Sequence, residues 1–372
     1  KQTWVTDLRW AVSAGSFSPD DRHFTYSVNE DGRTQLHLGE RATLKSEILK
    51  FPTGVSTFAG PRTAFSPDGR KLLISHQSSQ RPADLWVYDL AGKAATQLTF
   101  SAVGGLDPNK IPSSQLVSYR SFDGKIISAF LWVPFNLARD GRHPGVVLPH
   151  GGPTAQTTDT FNRTVAALAS RGYVVIAPNP RGSTGYGMAF QQANTKDLGG
   201  GDLQDEVFGA KLLAATGYVD AKRIGITGGS YGGFMTMMAL GKTPDVWAAG
   251  VQLFGIINWF TMYQHQDASL KAYQRSLIGD PVADKAVWEA CSPLTYMHQV
   301  KAPLLTLQGD NDIRVPKVEA VQVTKILTDA GKITEAHYYA NEGHGFAKRE
   351  NQIDAIQRTL AWFEKYLKPA KP

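Results

Sequence analysis

The chain has 372 residues, 42% of them hydrophobic and 19% charged. That composition excludes a disordered protein and leaves room for one large domain and part of another, or two ordinary ones. The net charge of +6 is scattered without a dense Lys/Arg run, which argues against nucleic-acid binding. No apolar run reaches the roughly 18 residues needed to span a bilayer, and the longest, residues 248–260, is broken by Gln252, Gly255 and Asn258.

The first residues contain a repeat. Phe17-Ser18-Pro19-Asp20-Asp21-Arg22 recurs 48 residues later as Phe65-Ser66-Pro67-Asp68-Gly69-Arg70. Each copy is a turn, because Pro presets φ and Gly or Asp tolerates φ > 0. Short strands are expected after each turn, at Phe24-Thr25-Tyr26-Ser27 and Lys71-Leu72-Leu73-Ile74, with further strands near Gln35-Leu36-His37-Leu38 and Asp84-Leu85-Trp86-Val87-Tyr88. Strands at this period describe β-propeller blades. About two blades are visible where closure needs at least ~4, so residues 1–100 are expected to be a partial propeller. Its remainder would lie on a further segment or chain; a small unrelated β-sheet domain is the alternative. The chain begins at Lys1, without Met or a signal pattern, so either a leader has been removed or the chain is a piece of something longer, and the repeat favours the second. The first residue leaves cytoplasmic, periplasmic and secreted locations open.

Residues 101–115, with Gly104-Gly105, Pro108, Pro112 and Ser113-Ser114, have linker composition. Beyond them, residues 116–372 change pattern. Leu116-Val117-Ser118-Tyr119 and residues 126–133 read as strands around the turn Phe122-Asp123-Gly124-Lys125. Apolar runs follow at residues 145–149, 173–177, 224–227, 249–252 and 303–307, with helical stretches at 164–171 and 234–240 and a closing helix over 351–367. Apolar strands alternating with helices predict an α/β fold with a mostly parallel sheet covered on both faces.

Gly228-Gly229-Ser230-Tyr231-Gly232 fits G-x-S-x-G between a buried strand and a helix, the context a nucleophile elbow requires in an α/β-hydrolase. Ser230 is therefore the expected nucleophile, with the Tyr231 N–H aimed at the reacting carbonyl oxygen. A serine hydroxyl needs a base, and the chain order in this fold is Ser, then acid, then His. Two carboxylates, Asp310 and Asp312, follow the strand at 303–307, and His344 follows in Asn341-Glu342-Gly343-His344-Gly345. Spacing alone leaves both acids open, and the surplus one reads as a turn residue. His298 and His265 precede the acid and fail the order, so they read as surface or helix-end residues. His150-Gly151-Gly152-Pro153 follows a strand, where its amides can supply a second oxyanion donor; His150 itself reads as shaping the loop. Cys291, the single cysteine, reads as a small buried hydrophobe. Asp202 and Asp205, at a helix start, fit dipole complementarity better than metal binding, and Arg181 is expected to pair with an acid. Neither a metal nor a cofactor is expected.

Six ordered motifs extend this pattern over the final two-thirds of the chain: Ser121-Phe122-Asp123-Gly124, His150-Gly151-Gly152-Pro153, Asn179-Pro180-Arg181-Gly182-Ser183-Thr184-Gly185-Tyr186-Gly187, residues 228–233, Asp312-Ile313-Arg314-Val315-Pro316 and Gly343-His344-Gly345. Together they resemble the catalytic domain of the prolyl oligopeptidase family, whose members carry an N-terminal β-propeller. The resemblance implies Asp312 as the triad acid and Arg314 as a ligand for a substrate backbone carbonyl, a structural ion pair being the other reading of that arginine. Some members place a Tyr at the position of His150; its absence here is more similar to acylaminoacyl peptidases, which implies the backbone amides of Gly152 and Tyr231 as the oxyanion hole. Ile256, Trp259 and Val315 resemble S1-lining positions, though core packing accounts for them as well. The expected function is that of a serine peptidase cleaving short peptides through an acyl-enzyme, acylaminoacyl- or dipeptidyl-peptidase-like. A carboxylesterase on the same triad and a non-catalytic binding module are the alternatives. The expected partners are a peptide substrate and the rest of a propeller, with neither nucleic acid nor membrane; homo-oligomerisation, P1 preference and exo- versus endo-cleavage stay open.

Overall fold

The repeated turn folds the same way twice in the computed structural model of the chain, which describes residues 4–60, 64–101 and 107–368. In the first copy Ser18 Oγ donates to Asp20 Oδ1 (2.6 Å) and accepts the His23 N–H (2.9 Å), while the Arg22 N–H reaches Asp20 Oδ1 (3.2 Å). In the second, Ser66 Oγ donates to Asp68 Oδ1 (2.5 Å) and accepts the Lys71 N–H (3.0 Å), and the Arg70 N–H reaches Asp68 Oδ1 (3.1 Å). Asp21 and Gly69, at matching places, both have positive φ (62° and 70°), the conformation for which Gly and Asp are suited.

Each turn opens into a four-stranded antiparallel meander. One comprises β1 (Ala11–Phe17), β2 (His23–Glu30), β3 (Arg33–Glu40) and β4 (Ser46–Ile48). The other comprises β5 (Val55–Phe58), β6 (Lys71–Ser78), β7 (Arg81–Asp89) and β8 (Ala94–Gln97). Leu36, Leu49, Ala64, Leu72, Ile74 and Tyr88 share one buried cluster; fully burying a side chain such as Leu72 or Ile74 stabilises by about 1.5–3 kcal/mol. These sheets belong to a compact unit of Lys1–Ser114, Thr158–Ala166 and Thr184–Ala189. Buried Asp159 ties its segments together, accepting from Arg33 Nε (2.9 Å), Ser114 Oγ (2.8 Å) and the Ser79 N–H (3.2 Å). Gly104-Gly105, in the stretch of linker composition, lies outside the described residues; Pro108–Lys110 forms a single 3-10 turn.

The second unit is built from Gln115–Thr157, Ala167–Ser183 and Phe190–Pro372. Its sheet contains β9 (Gln115–Arg120), β10 (Ile126–Trp132), β11 (His143–Val147), β12 (Val174–Asn179), β13 (Val219–Gly229), β14 (Ala249–Leu253), β15 (Leu304–Gly309) and β16 (Thr334–Tyr339). The order is β16-β15-β14-β13-β11-β12-β10-β9. The six strands from β12 to β16 in that order pair in parallel, and the hairpin β9–β10 closes one edge antiparallel. Parallel strands need crossovers and cover on both faces. The crossover helices supply it and explain the unbroken burial of β12 and β15. This is the α/β-hydrolase fold expected for this segment. The order reverses between β12, β11 and β13, so the carboxyl ends of β11 and β13 border a topological switch point, the usual place for a site in an open α/β sheet. Among the described residues no helix is long and apolar enough to cross a membrane.

Candidate active site

Ser230 sits at the junction of β13 and the helix Tyr231–Lys242 with φ 59° and ψ −120°, a conformation costly for a residue with a Cβ and characteristic of strained functional positions. The Ser230 N–H donates to the Leu253 carbonyl at the end of β14 (3.0 Å). Glycines make the turn sterically feasible. A Cβ on Gly228 would lie 2.6 Å from the Pro149 oxygen, one on Gly233 would lie 2.7 Å from the Leu253 oxygen, and one on Gly232 would collide with the Pro149 oxygen. All three obstacles are backbone, so no side-chain rearrangement relieves them.

Asp312 and His344, drawn from loops beyond β15 and β16, meet directly. Asp312 Oδ2 lies 2.8 Å from His344 Nδ1. The other carboxylate oxygen, Oδ1, accepts the N–H groups of Arg314 and Val315, both at 2.9 Å. The carboxylate is fully buried and the imidazole one-fifth exposed. An accepting oxygen at Nδ1 places the proton there in the neutral ring and leaves a lone pair on Nε2, which has no partner among the described residues. The ring of Phe254 lies 4.8 Å from that of His344, and a Cβ on Gly229 would touch the same phenyl ring at 2.8 Å. Phe254 therefore packs against both the histidine and the residue preceding Ser230.

The loop after β11 runs beside the serine. A Cβ on Gly151 would lie 3.6 Å from Ser230 Cβ. Neither the Gly152 nor the Tyr231 N–H has a partner among the described residues. Two unpaired amides beside a nucleophile can receive a developing oxyanion. Gly152 adopts φ 140°, open to glycine and strained for other residues. His150 closes its loop locally: Nδ1 lies 2.6 Å from the Gly151 oxygen and Nε2 2.9 Å from Ser183 Oγ, and burial holds its pKa below the usual histidine range. That agrees with a loop-shaping residue.

Of the two candidate acids, Asp310 is turned away and ion-paired with Lys317 at 2.6 Å. Arg314 is exposed; its backbone holds Asp312 and accepts from Gln266 Nε2 (3.1 Å), and its guanidinium has no carboxylate partner among the described residues. The ion-pair reading of Arg314 thus finds no support. Ile256, Trp259 and Val315 are 3%, 3% and 2% exposed and belong to one buried cluster with Tyr231 and Phe234. His265 and His298 are exposed. Cys291 is buried, and burial pushes its thiol up to about 12, the environment of a packing residue.

Several supporting residues gave no signal in the sequence. Glu342, 1% exposed, accepts the N–H groups of Ala347 (2.8 Å) and Lys348 (3.0 Å) and the amide of Asn351 (2.6 Å), closing the loop that carries His344. Glu319 accepts the N–H groups of Ile257 (3.0 Å) and Asn258 (2.9 Å), and so fixes the segment between Ile256 and Trp259. Arg181 does pair with acids: Nε and Nη2 grip Asp205, both at 2.8 Å, and Nη1 and Nη2 reach Asp123 at 3.0 and 3.1 Å. Asp205 is therefore an ion-pair partner, whereas its place near the helix start suggested dipole complementarity; only Asp202 lies in the first turn.

Comparison with known proteins follows the same lines. The chain is 31% identical over 356 residues to the "Uncharacterized peptidase YuxL" of Bacillus subtilis, covering 94% of this chain and 53% of that protein. It is 32% identical over 295 residues to dipeptidyl aminopeptidase BIII of Pseudoxanthomonas mexicana, covering 76% and 43%. The solved acylaminoacyl peptidase of Pyrococcus horikoshii superposes with a TM-score of 0.81 at 26% identity, covering 98% of this chain and 57% of that one. The chain thus spans about half the length of the curated relatives it matches. The model described as "Prolyl oligopeptidase family" matches residues 159–370, more than half of the sequence, and the chain belongs to that family.

Proposed function

We propose that the chain is the catalytic portion of a serine peptidase that cleaves short peptides, with Ser230 as nucleophile, His344 as base and Asp312 as the orienting acid. The observation that carries this is the bond between Asp312 Oδ2 and His344 Nδ1, made while Oδ1 is held by two backbone N–H groups. It fixes the imidazole with its basic nitrogen free, in the loop packed through Phe254 against the serine turn. His344 Nε2 takes the proton of Ser230 Oγ as Oγ bonds to the peptide carbonyl carbon. The oxygen becomes an oxyanion held by the Tyr231 and Gly152 amides. The C–N bond then breaks, with the nitrogen receiving the proton from His344. Water, deprotonated by the same histidine, attacks the acyl carbon; the C–Oγ bond then breaks, Ser230 Oγ takes the proton back from His344, and the acid leaves. Arg314, an exposed cation without a carboxylate partner among the described residues, holds a substrate carbonyl. Ile256, Trp259 and Val315 bound the P1 side chain.

The similarity to acylaminoacyl and dipeptidyl peptidases supports peptide rather than ester as the substrate. The two antiparallel meanders with their duplicated turn support a reading of the N-terminal unit as the last two blades of a propeller, and of residues 116–372 as the catalytic domain. Ser230→Ala tests the assignment: it should abolish both turnover and fluorophosphonate labelling, and labelling that persists at another serine would overturn it. Relative rates on an acyl-aminoacyl anilide, a dipeptidyl anilide and a nitrophenyl ester separate the two peptidase classes from an esterase.

A further inference from the structure

The residue after the nucleophile carries a feature that its backbone role does not need. The side chain of Tyr231 is buried, 3% exposed, with its ring 4.7 Å from that of Phe234. Its hydroxyl donates to Asp202 Oδ2 in a short hydrogen bond. Asp202 has no solvent exposure and is itself fixed: Oδ1 accepts the N–H groups of Gly199 (2.8 Å) and Leu203 (2.9 Å), and Asn194 Nδ2 donates to Oδ2 at 3.2 Å. Burial pushes this carboxyl up to about 6, against the opposing hydrogen bonds from Tyr231 and Asn194. A carboxylate without a cationic partner is expensive in a core.

The peptide plane between Ser230 and Tyr231 explains what such a carboxylate holds. The direction of the Tyr231 N–H is set by rotation of that plane. Before it, the Ser230 N–H, in the preceding plane, meets the Leu253 carbonyl (3.0 Å). Within it, the helix holds the Ser230 carbonyl through the Phe234 N–H (2.9 Å), while the Tyr231 N–H, a first-turn donor, has no partner within the helix. The phenol ties residue 231 from its side chain as well. Fixing the phenol restrains the Tyr231 Cα, and with it the far end of a plane whose carbonyl end is already held.

We infer that Asp202, acting through the hydroxyl of Tyr231, is a positioning residue for the oxyanion hole: it holds the Tyr231 amide on the line along which charge develops. This rests on the serine peptidase reading above and adds a residue to that site. Loss of the anchor leaves the amide present and its plane still tied at the Ser230 carbonyl, so what is lost is its fine placement. The expected loss is therefore about tenfold, below the ~100-fold or more that deleting an oxyanion donor costs.

The test uses the full chain and whichever acyl-aminoacyl or dipeptidyl anilide the wild type cleaves faster. A trifluoromethyl ketone with the same acyl portion mimics the tetrahedral state. Tyr231→Phe should lower kcat about tenfold with KM nearly unchanged, and should weaken the ketone by the same factor, since both report transition-state complementarity. Asp202→Asn keeps a hydrogen bond to the phenol with donor and acceptor exchanged and should lose less than Asp202→Ala, which keeps none. A Tyr231→Phe enzyme with kcat and ketone affinity like the wild type overturns the inference. So does a loss taken in KM with kcat held, or a fall in kcat that ketone binding does not follow, which marks a structural role. Wild-type protein that neither hydrolyses an anilide nor labels at Ser230 overturns the peptidase reading itself, an outcome separate from an active wild type whose variants show no effect.

Discussion

Asp312→Asn is the sharpest perturbation of the proposed triad, because the structure dictates how the new amide must sit. Two backbone N–H groups, from Arg314 and Val315, point at Oδ1, so the asparagine oxygen must occupy that place. The amide NH2 then faces His344 Nδ1, where Oδ2 lay at 2.8 Å. An N–H donor there requires Nδ1 to accept, which moves the imidazole proton to Nε2 and removes the lone pair that would take the Ser230 proton. Rotating the amide the other way would set NH2 against two buried donors, at about 1–3 kcal/mol for each unsatisfied group. The wrong tautomer is thus favoured by at least ~2 kcal/mol, or ~30-fold, and the full effect of such a swap in a serine triad reaches ~10⁴ in kcat. Steady-state kcat of Asp312→Asn, with a thermal melt to verify folding, should therefore fall by between about 30-fold and 10⁴-fold. Asp310→Asn is the control: its partner is the half-exposed Lys317, a surface pair worth about 0–1 kcal/mol, and its kcat should stay near that of the wild type. A folded Asp312→Asn enzyme keeping a third or more of wild-type kcat, or an equal loss in Asp310→Asn, would refute the tautomer argument.

Three further substitutions report on the shell around the site. Arg181→Met leaves Asp205, with no exposed side-chain surface, without its guanidinium, and should cost about 3–5 kcal/mol in urea denaturation; a loss under 1 kcal/mol would show that the Ser121 hydroxyl (2.5 Å) and the Arg181 N–H (2.9 Å), which also donate to Asp205, suffice for that carboxylate. Glu342→Ala strands the Ala347 and Lys348 N–H groups and the Asn351 amide, and should destabilise by about 2–4 kcal/mol while slowing fluorophosphonate labelling of Ser230. Unchanged labelling would separate this brace from the placement of His344. Asp202 gives a pH signature. Its folded-state carboxyl is pushed up to about 6 from an ordinary value of 3.8, so the folded chain holds a proton that the unfolded chain releases. The stability from that proton is complete below pH ~4 and lost as pH rises through 6, a difference on the order of 3 kcal/mol. Urea midpoints of the wild type should include this loss between pH 4 and 7, and those of Asp202→Asn should not; equal pH dependence in both would show that other groups set the slope.

Much of the fold was legible because its signals are local. The glycines around Ser230 are required by backbone a few residues away, and a G-x-S-x-G pattern between a buried strand and a helix records that requirement in one short window. The apolar runs of β11 to β15 follow from burial on both faces of a parallel sheet, so each was visible alone. The turn repeat was legible for the same reason: Ser18, Asp20 and Asp21 bond within five residues of one another, and Ser66, Asp68 and Gly69 repeat the arrangement. What the repeat could not give was strand count, since β1, β4, β5 and β8 are short or largely exposed and lack a strong alternating pattern.

The sequence offered the side chains proposed to react and was silent on what holds them. Asp310 and Asp312 are alike in composition and almost alike in position; they differ in that Oδ1 of Asp312 captures two amides from its own loop, a consequence of backbone geometry that spacing does not encode. Asp202 and Asp205 illustrate the same limit more strongly. Both stand at the start of one helix, three residues apart, and a helix dipole favours acids there. Yet Asp205 turns to a guanidinium 24 residues earlier and Asp202 to a phenol 29 residues later. A buried carboxylate needs a partner, and the partner is chosen by the fold. Sequence can therefore mark a buried acid as a residue with an unmet requirement, while only the assembled sheet shows that meeting it engages the residue next to Ser230.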